Sequence, residues 1–225
     1  MKSSTLKILM VDDHPMIIEG YQHILLATKK EDQILDIDVA TDCDSAMSAI
    51  LKSKNMGQPY DMYFFDISIP QSSDGIYKSG EDLAKHVRLT QPEAKVVILT
   101  MFNEVYRIHS IIKTINPDGF LIKSDLTSSE LASAFEVIQT NPPFYTGTIN
   151  NIIKRSIFNP IEVDEINHKM LHFLSLGVRT KDLVAHLGIT LSAIEKRKKN
   201  LKDLFVIDDG KDDSLIKVAK EKGYI

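Results

Sequence analysis

The chain has 225 residues, of which 43% are apolar, with ten glycines, eight prolines, one cysteine and a formal net charge of −4. This is the composition of a globular protein and excludes the collagen-like and disordered classes. The lone Cys43 excludes an internal disulfide and no apolar run nears the roughly 20 residues of a membrane span, while the polar opening from Met1 to Lys7 lacks a secretory leader pattern, so a cytoplasmic protein is expected.

Short apolar runs alternate with amphipathic stretches over the first 140 residues. The runs are Leu6–Val11, Ile34–Ala40, Tyr60–Phe65, Val96–Leu99 and Gly119–Ile122. Their continuous apolarity implies burial on both faces, as in a parallel sheet covered by helices. Helices are expected near 15–28, 44–54, 80–90, 104–114 and 127–139. The last opens on Thr127-Ser128-Ser129-Glu130, a capping-box pattern. Five such βα units predict a five-stranded, doubly wound parallel sheet, a fold that binds ligands beyond the carboxyl ends of its strands.

The pattern then changes. Asn141-Pro142-Pro143 stops the fifth helix, a linker helix is expected near 147–157, and Asn159-Pro160 makes a second break. Helical periodicity takes over at 164–176, 180–187, 191–204 and 213–222, with Gly177, Gly188 and a polar turn at Asp208–Gly210 between them. The expected division is residues 1–140, a linker over 141–160, and a small all-α domain over 161–225. Charge divides similarly, net −7 over residues 1–141 and net +3 over 142–225, which suggests different partners for the two halves.

Asp12 and Asp13 follow the first strand, Asp66 the third, Thr100 the fourth and Lys123 the fifth. Parallel strands open on one sheet edge, so these residues converge. Three crowded carboxylates favour a shared cation, and Mg²⁺ takes oxygen ligands. A carboxylate can also attack a phosphoryl group, whose charge a lysine and a hydroxyl then neutralise. Singly, each residue has a plainer role: a helix cap for the aspartates, a solvated side chain for Lys123, core for Phe120. Their joint placement carries the reading; His14 and Cys43 are read as structural.

The segments Ile8-Leu9-Met10-Val11-Asp12-Asp13-His14-Pro15, Phe64-Phe65-Asp66-Ile67-Ser68-Ile69-Pro70, Val97-Ile98-Leu99-Thr100 and Gly119-Phe120-Leu121-Ile122-Lys123 resemble the receiver domain of bacterial two-component response regulators. The resemblance implies that Asp66 is the phosphoacceptor and that Asp12, Asp13, Asp66 and the Ser68 carbonyl hold Mg²⁺. It further implies that Thr100 and Lys123 contact the phosphoryl oxygens, and that Thr100 and Phe120 form the switch. The loop over residues 70–79 is longer than the family usually has. An aspartyl-phosphate hydrolase would normally carry an acid two residues past Asp66, where this chain has Ser68, so no enzyme is expected.

In the C-terminal part, Thr180 is expected to cap a helix that buries Leu183, Val184 and Leu187. Gly188 turns the chain, and Thr190 or Ser192 caps a third helix facing inward through Ile194, Leu201 and Phe205. That helix carries Lys196, Arg197, Lys198, Lys199 and Lys202, a candidate face for the major groove. The region is similar to the LuxR-type helix-turn-helix of the NarL/FixJ response-regulator family. It departs from it at Asn167, where a glutamate is usual, and at Leu204-Phe205-Val206-Ile207, where Lys-Leu-Gly-Val is common. The resemblance implies a transcription regulator phosphorylated by a sensor histidine kinase or phosphotransfer protein, which dimerises when phosphorylated and binds double-stranded DNA. Candidate DNA contacts are Thr190, Ser192, Lys196, Arg197, Lys198, Lys199 and Lys202. The alternative is a phosphorylation-dependent interaction protein whose divergent helix-turn-helix no longer binds DNA.

Overall fold

Each of the five apolar runs pairs in parallel with a neighbouring one. The computed structural model describes residues 4–101, 105–158 and 163–225. The elements run β1 (Ser4–Val11), α1 (Pro15–Thr28), β2 (Gln33–Ala40), α2 (Cys43–Asn55), β3 (Met62–Asp66), α3 (Gly80–Thr90), β4 (Lys95–Thr100), α4 (Val105–Ile115), β5 (Gly119–Ile122), α5 (Ser128–Thr140), β6 (Phe144–Tyr145) and α6 (Gly147–Phe158). Four further helices follow: α7 (Glu165–Ser175), α8 (Leu183–Leu187), α9 (Leu191–Leu204) and α10 (Asp212–Glu221). The chain divides into two units, residues 1–102 with 111–149, and residues 103–110 with 150–225. The expected break at Asn159-Pro160, and with it the domain limit at 160/161, lies outside the described residues.

The sheet order is β2-β1-β3-β4-β5-β6, all parallel. Every residue of β3 is buried because successive side chains enter opposite, equally covered faces. Met62 and Phe64 join Ile8, Met10, Val97, Leu99 and Leu121 beneath Leu25 of α1 and Phe135 of α5. On the other face Tyr63 stacks against Phe65 with 5.5 Å between ring centroids, and its hydroxyl donates to Gln91 Oε1 at the end of α3 (2.7 Å). Burial of a side chain such as Phe64 is worth about 1.5–3 kcal/mol. The capping box at α5 forms as its sequence predicts: the Thr127 hydroxyl accepts from the Glu130 amide (3.2 Å), and Glu130 Oε2 accepts from the Thr127 amide (2.9 Å).

The structure adds a sixth strand to the five read from the sequence. Two-residue β6 lies along β5, with the Phe144 amide donating to Asp118 O (2.9 Å) and the Thr146 amide to Phe120 O (3.1 Å). The buried Thr146 hydroxyl in turn accepts from the Ile122 amide (3.2 Å). At the far end of the strands Arg88 donates to the carbonyls of Ala94, Ile115 and Asn116 and pairs with Asp118 at 2.5 Å. Asp118 also accepts from the Val96 amide and from Lys95 Nζ.

In the second unit α7 to α10 enclose Met170, Leu171, Leu183, Ile194, Leu201, Phe205, Leu215 and Ala219. Two local expectations fail. Helix α8 begins at Leu183 after a turn over residues 180–182, and the Thr180 hydroxyl, rather than capping it, accepts from Lys198 Nζ (2.7 Å). Val184 is 38% exposed, since a five-residue helix presents only Leu183 fully to the core. Thr190 does cap α9, accepting from the Ala193 amide at 3.3 Å. No helix among the described residues is long and apolar enough to cross a membrane.

Candidate functional site

Parallel strands of matched register deliver their last residues to one edge. Asp12 follows β1, Asp66 ends β3, Thr100 ends β4, and Lys123 opens the short turn after β5. Asp12, Asp66 and Thr100 are all buried. Lys123 joins the set across 111 positions of sequence: its Nζ donates to Asp12 Oδ2 (2.6 Å) and lies 3.0 Å from Asp66 Oδ2. The Ser68 amide also hydrogen-bonds the Asp66 carboxylate, and Ser68 itself is exposed. Phe120 is fully buried on β5, in register with Ile98 and one pleat behind Thr100.

The approach of α3 to this edge depends on Gly80. The chain after Asp66 returns so tightly that a Cβ on Gly80 would stand 1.9 Å from the Asp66 carbonyl oxygen. The long loop between them is folded on itself. Buried Ser72 donates to Asp74 Oδ1 (2.6 Å) and accepts from the Tyr77 amide (3.0 Å). The Ser73 amide reaches Asp44 of α2 (2.9 Å), and the Tyr77 hydroxyl meets His86 Nδ1 of α3 (3.0 Å).

One ammonium stands among three acids, so the edge keeps an excess of negative charge. Burial pushes the Asp66 carboxyl above the usual carboxylate range, with Lys123 pulling the other way and Asp12 adding to the rise. Burial works against the Lys123 ammonium, but the two carboxylates outweigh it and hold Lys123 above its ordinary value. The phenol of Tyr21 is pushed up to about 12, first by burial and then by the charges of Asp12 and Asp66.

Ligand atoms of Asp12, Asp13, His14 and Asp66 all lie within 4.8 Å of one another. Three carboxylates at that spacing suit a hard divalent cation such as Mg²⁺. His14, read from the sequence as structural, belongs to this group: its Nδ1 is 2.6 Å from Asp13 Oδ1 and 3.2 Å from Asp12 Oδ1. The signal was local, an imidazole directly after two acids at a strand end.

The seven candidate DNA contacts do not share one environment. Arg197 Nη1 donates to Asp164 Oδ2 (2.5 Å) and Asn167 Oδ1 (3.2 Å). Lys198 Nζ donates to Asp212 Oδ2 and Thr180 Oγ1, both at 2.7 Å. Lys202 Nζ pairs with Asp212 Oδ1 (2.6 Å) and donates to Gly210 O (2.5 Å). Burial opposes ionisation of Asp212, yet Lys198 and Lys202 hold its carboxyl below the ordinary range. Thr190, Ser192, Lys196 and Lys199 are exposed.

A family model described as the response regulator receiver domain matches residues 8–136. Transcriptional regulatory protein MctR of Rhizobium johnstonii is 23% identical over 201 residues, covering 88% of this chain and 86% of its own. Oxygen regulatory protein NreC of Staphylococcus epidermidis is 20% identical over 209 residues, with 87% and 89% covered. A solved structure of RcsB from Salmonella enterica serovar Typhimurium, bound to promoter rprA in the presence of phosphomimetic BeF3-, matches with a TM-score of 0.60 at 16% identity, over 95% of this chain and 97% of that one. At such identity the likeness is one of fold.

Proposed function

Since the chain belongs to the response regulator receiver family, we propose that it is a cytoplasmic two-component regulator of the NarL/FixJ type, switched by phosphorylation of Asp66. An Asp66 carboxylate oxygen attacks the phosphorus of a phosphohistidine on a sensor kinase or phosphotransfer protein. The P–O bond forms as the P–N bond breaks, and the imidazole leaves to take up a proton. Asp12, Asp13, Asp66 and the Ser68 carbonyl are the residues to hold Mg²⁺, which when bound neutralises phosphoryl oxygens. Lys123 then exchanges its Asp66 contact for a phosphoryl oxygen, and the Thr100 hydroxyl donates to another. The observation that carries this reading is the Lys123 ammonium within 3.0 Å of Asp66 and 2.6 Å of Asp12, across otherwise distant segments.

The output is transcription control by the C-terminal unit. Helix α9 follows α8 through a short turn at Gly188, the arrangement in which a second helix enters the major groove. Relatives named as regulators, matched over 86–89% of their length, support this reading, as does the RcsB structure captured on a promoter. In the phosphorylated state two chains pair, so that two α9 helices face two half-sites. Reversing a 1:99 equilibrium takes about 5.5 kcal/mol of differential stabilisation.

Incubated with acetyl phosphate and Mg²⁺, the protein should gain one labile phosphoryl group, and Asp66→Asn should gain none. Equal labelling of the two would remove Asp66 as the acceptor. A gel-shift with genomic fragments, run before and after phosphorylation, tests the output; no shift in either state would favour an interaction protein without DNA.

A further inference from the structure

The basic residues of α9 separate into two groups by what their charge already does. Arg197, Lys198 and Lys202 reach back to α7, to the chain before α8 and to the start of α10, at 2.5–2.7 Å from Asp164 and Asp212. The side chains of Lys198 and Lys202 are only 15% and 16% exposed. Using either on a phosphate would leave Asp212 half-compensated. These three cations fasten the helix to its own domain.

The other group lies on the opposite side. Ile194 and Leu201 define the inward face, and at 3.6 residues per turn Ser192, Lys196 and Lys199 form the outward stripe with Glu195 along one flank. All four are exposed, and among the described residues Glu195, Lys196 and Lys199 form no ion pair. They lie within the first two and a half turns of α9, toward the end of a recognition helix that meets base edges.

Resting on the DNA-binding reading above, we infer that Ser192, Glu195, Lys196 and Lys199 read the bases and that Glu195 is the specificity-determining residue, selecting a cytosine. A carboxylate on this stripe is repelled by phosphates and, among groups on the DNA, is matched only by a base that presents a donor. In the major groove the cytosine N4 amino group suits a glutamate, while the lysines suit guanine O6 and N7. Opposite any base offering only acceptors, Glu195 stays unpaired beside acceptor atoms, which penalises the wrong sequence and adds to the reward for the right one.

The test is binding selection from a library of randomised duplex DNA, using the full chain phosphorylated with acetyl phosphate. The wild type should enrich a site with one cytosine that discriminates roughly tenfold or more against the other bases. Glu195→Gln, which keeps the helix and its length but gains an amide suited to adenine, should move that single position from cytosine to adenine. Lys198→Met should lower the thermal midpoint and leave the selected sequence unchanged. Identical selected sequences from the wild type and Glu195→Gln would overturn the inference alone, as would a Lys198→Met variant whose base preference shifts. Failure of the wild type to enrich any duplex would overturn the DNA-binding reading itself, and the inference with it.

Discussion

Replacing Val206 by glycine should stabilise the C-terminal unit. Val206 follows α9 with φ +56°, the left-handed turn that Gly188 makes after α8 with φ +66°. The amides of Val206 and Ile207 close the helix end on the carbonyls of Asp203 (3.2 Å) and Lys202 (2.9 Å). This conformation costs a residue with a Cβ about 1–2 kcal/mol, and branching at Cβ places valine at the upper end. The Val206 side chain is 76% exposed, so removing it forfeits little burial. Against the gain stands the freedom of glycine in the unfolded chain, about 0.5–1 kcal/mol. The balance is a gain of about 1 kcal/mol, or roughly a fivefold fall in the locally open population. Hydrogen exchange of α9 and α10 amides in the full chain reads that population directly. For a unit of this size the midpoint should rise by about 4–8 °C per kcal/mol. Gly188→Val should move both readouts the opposite way. Faster exchange in Val206→Gly, with Gly188→Val unchanged, would refute the strain argument.

Gly80→Ala should destabilise the receiver by about 1–3 kcal/mol and slow its labelling by acetyl phosphate, because the obstructing atom is Asp66 backbone and not a flexible side chain; wild-type behaviour in urea unfolding and labelling would contradict the close approach. Lys123→Met leaves Asp12 and Asp66 buried without their shared cation and should cost about 3–5 kcal/mol, with added Mg²⁺ restoring more stability to the variant than it gives the wild type. Equal Mg²⁺ responses in thermal melts would count against a cation shared by those acids. Burial opposes ionisation of Asp118, but the Val96 amide, Arg88 and Lys95 hold its carboxyl below the ordinary range. A depressed folded value contributes stability above the unfolded value near about 4 and loses it as the pH falls further. Asp118→Asn should therefore flatten the acid limb of a urea-midpoint series, and an unchanged limb would exclude that carboxyl.

The receiver was legible because each of its signals is local. The stretch from Met62 to Phe65 is apolar without alternation, which only a strand covered on both faces tolerates, and Asp66 follows directly at its end. The capping box at Thr127 needs four adjacent residues and nothing else. What escaped depends on partners far along the chain. Strand β6 is two residues long, too short for any period, and exists because Asp118 and Phe120 offer it carbonyls. Lys198 and Lys202 look in sequence like Lys196 and Lys199; only Asp212, on another helix, separates them. The cap expected at Thr180 is lost to a partner on another helix, since its hydroxyl accepts from Lys198 of α9.

The short strand β6 also makes the two margins of the sheet unlike. Beyond β5, an intruding peptide finds the backbone groups of Asp118, Phe120 and Ile122 already engaged by Phe144 and Thr146. Among the described residues no strand lies beyond β2, and against the burial on both faces expected from the sequence Ile34 and Val39 stand half exposed there. That margin is guarded by charge instead: Asp36 and Asp38 alternate along it, and stacking a second copy's β2 edge to edge would bring like charges together. The protein thus resists fibre-like self-association by occupancy on one side and by repulsion on the other, and neutralising Asp36 and Asp38 together would open the second route.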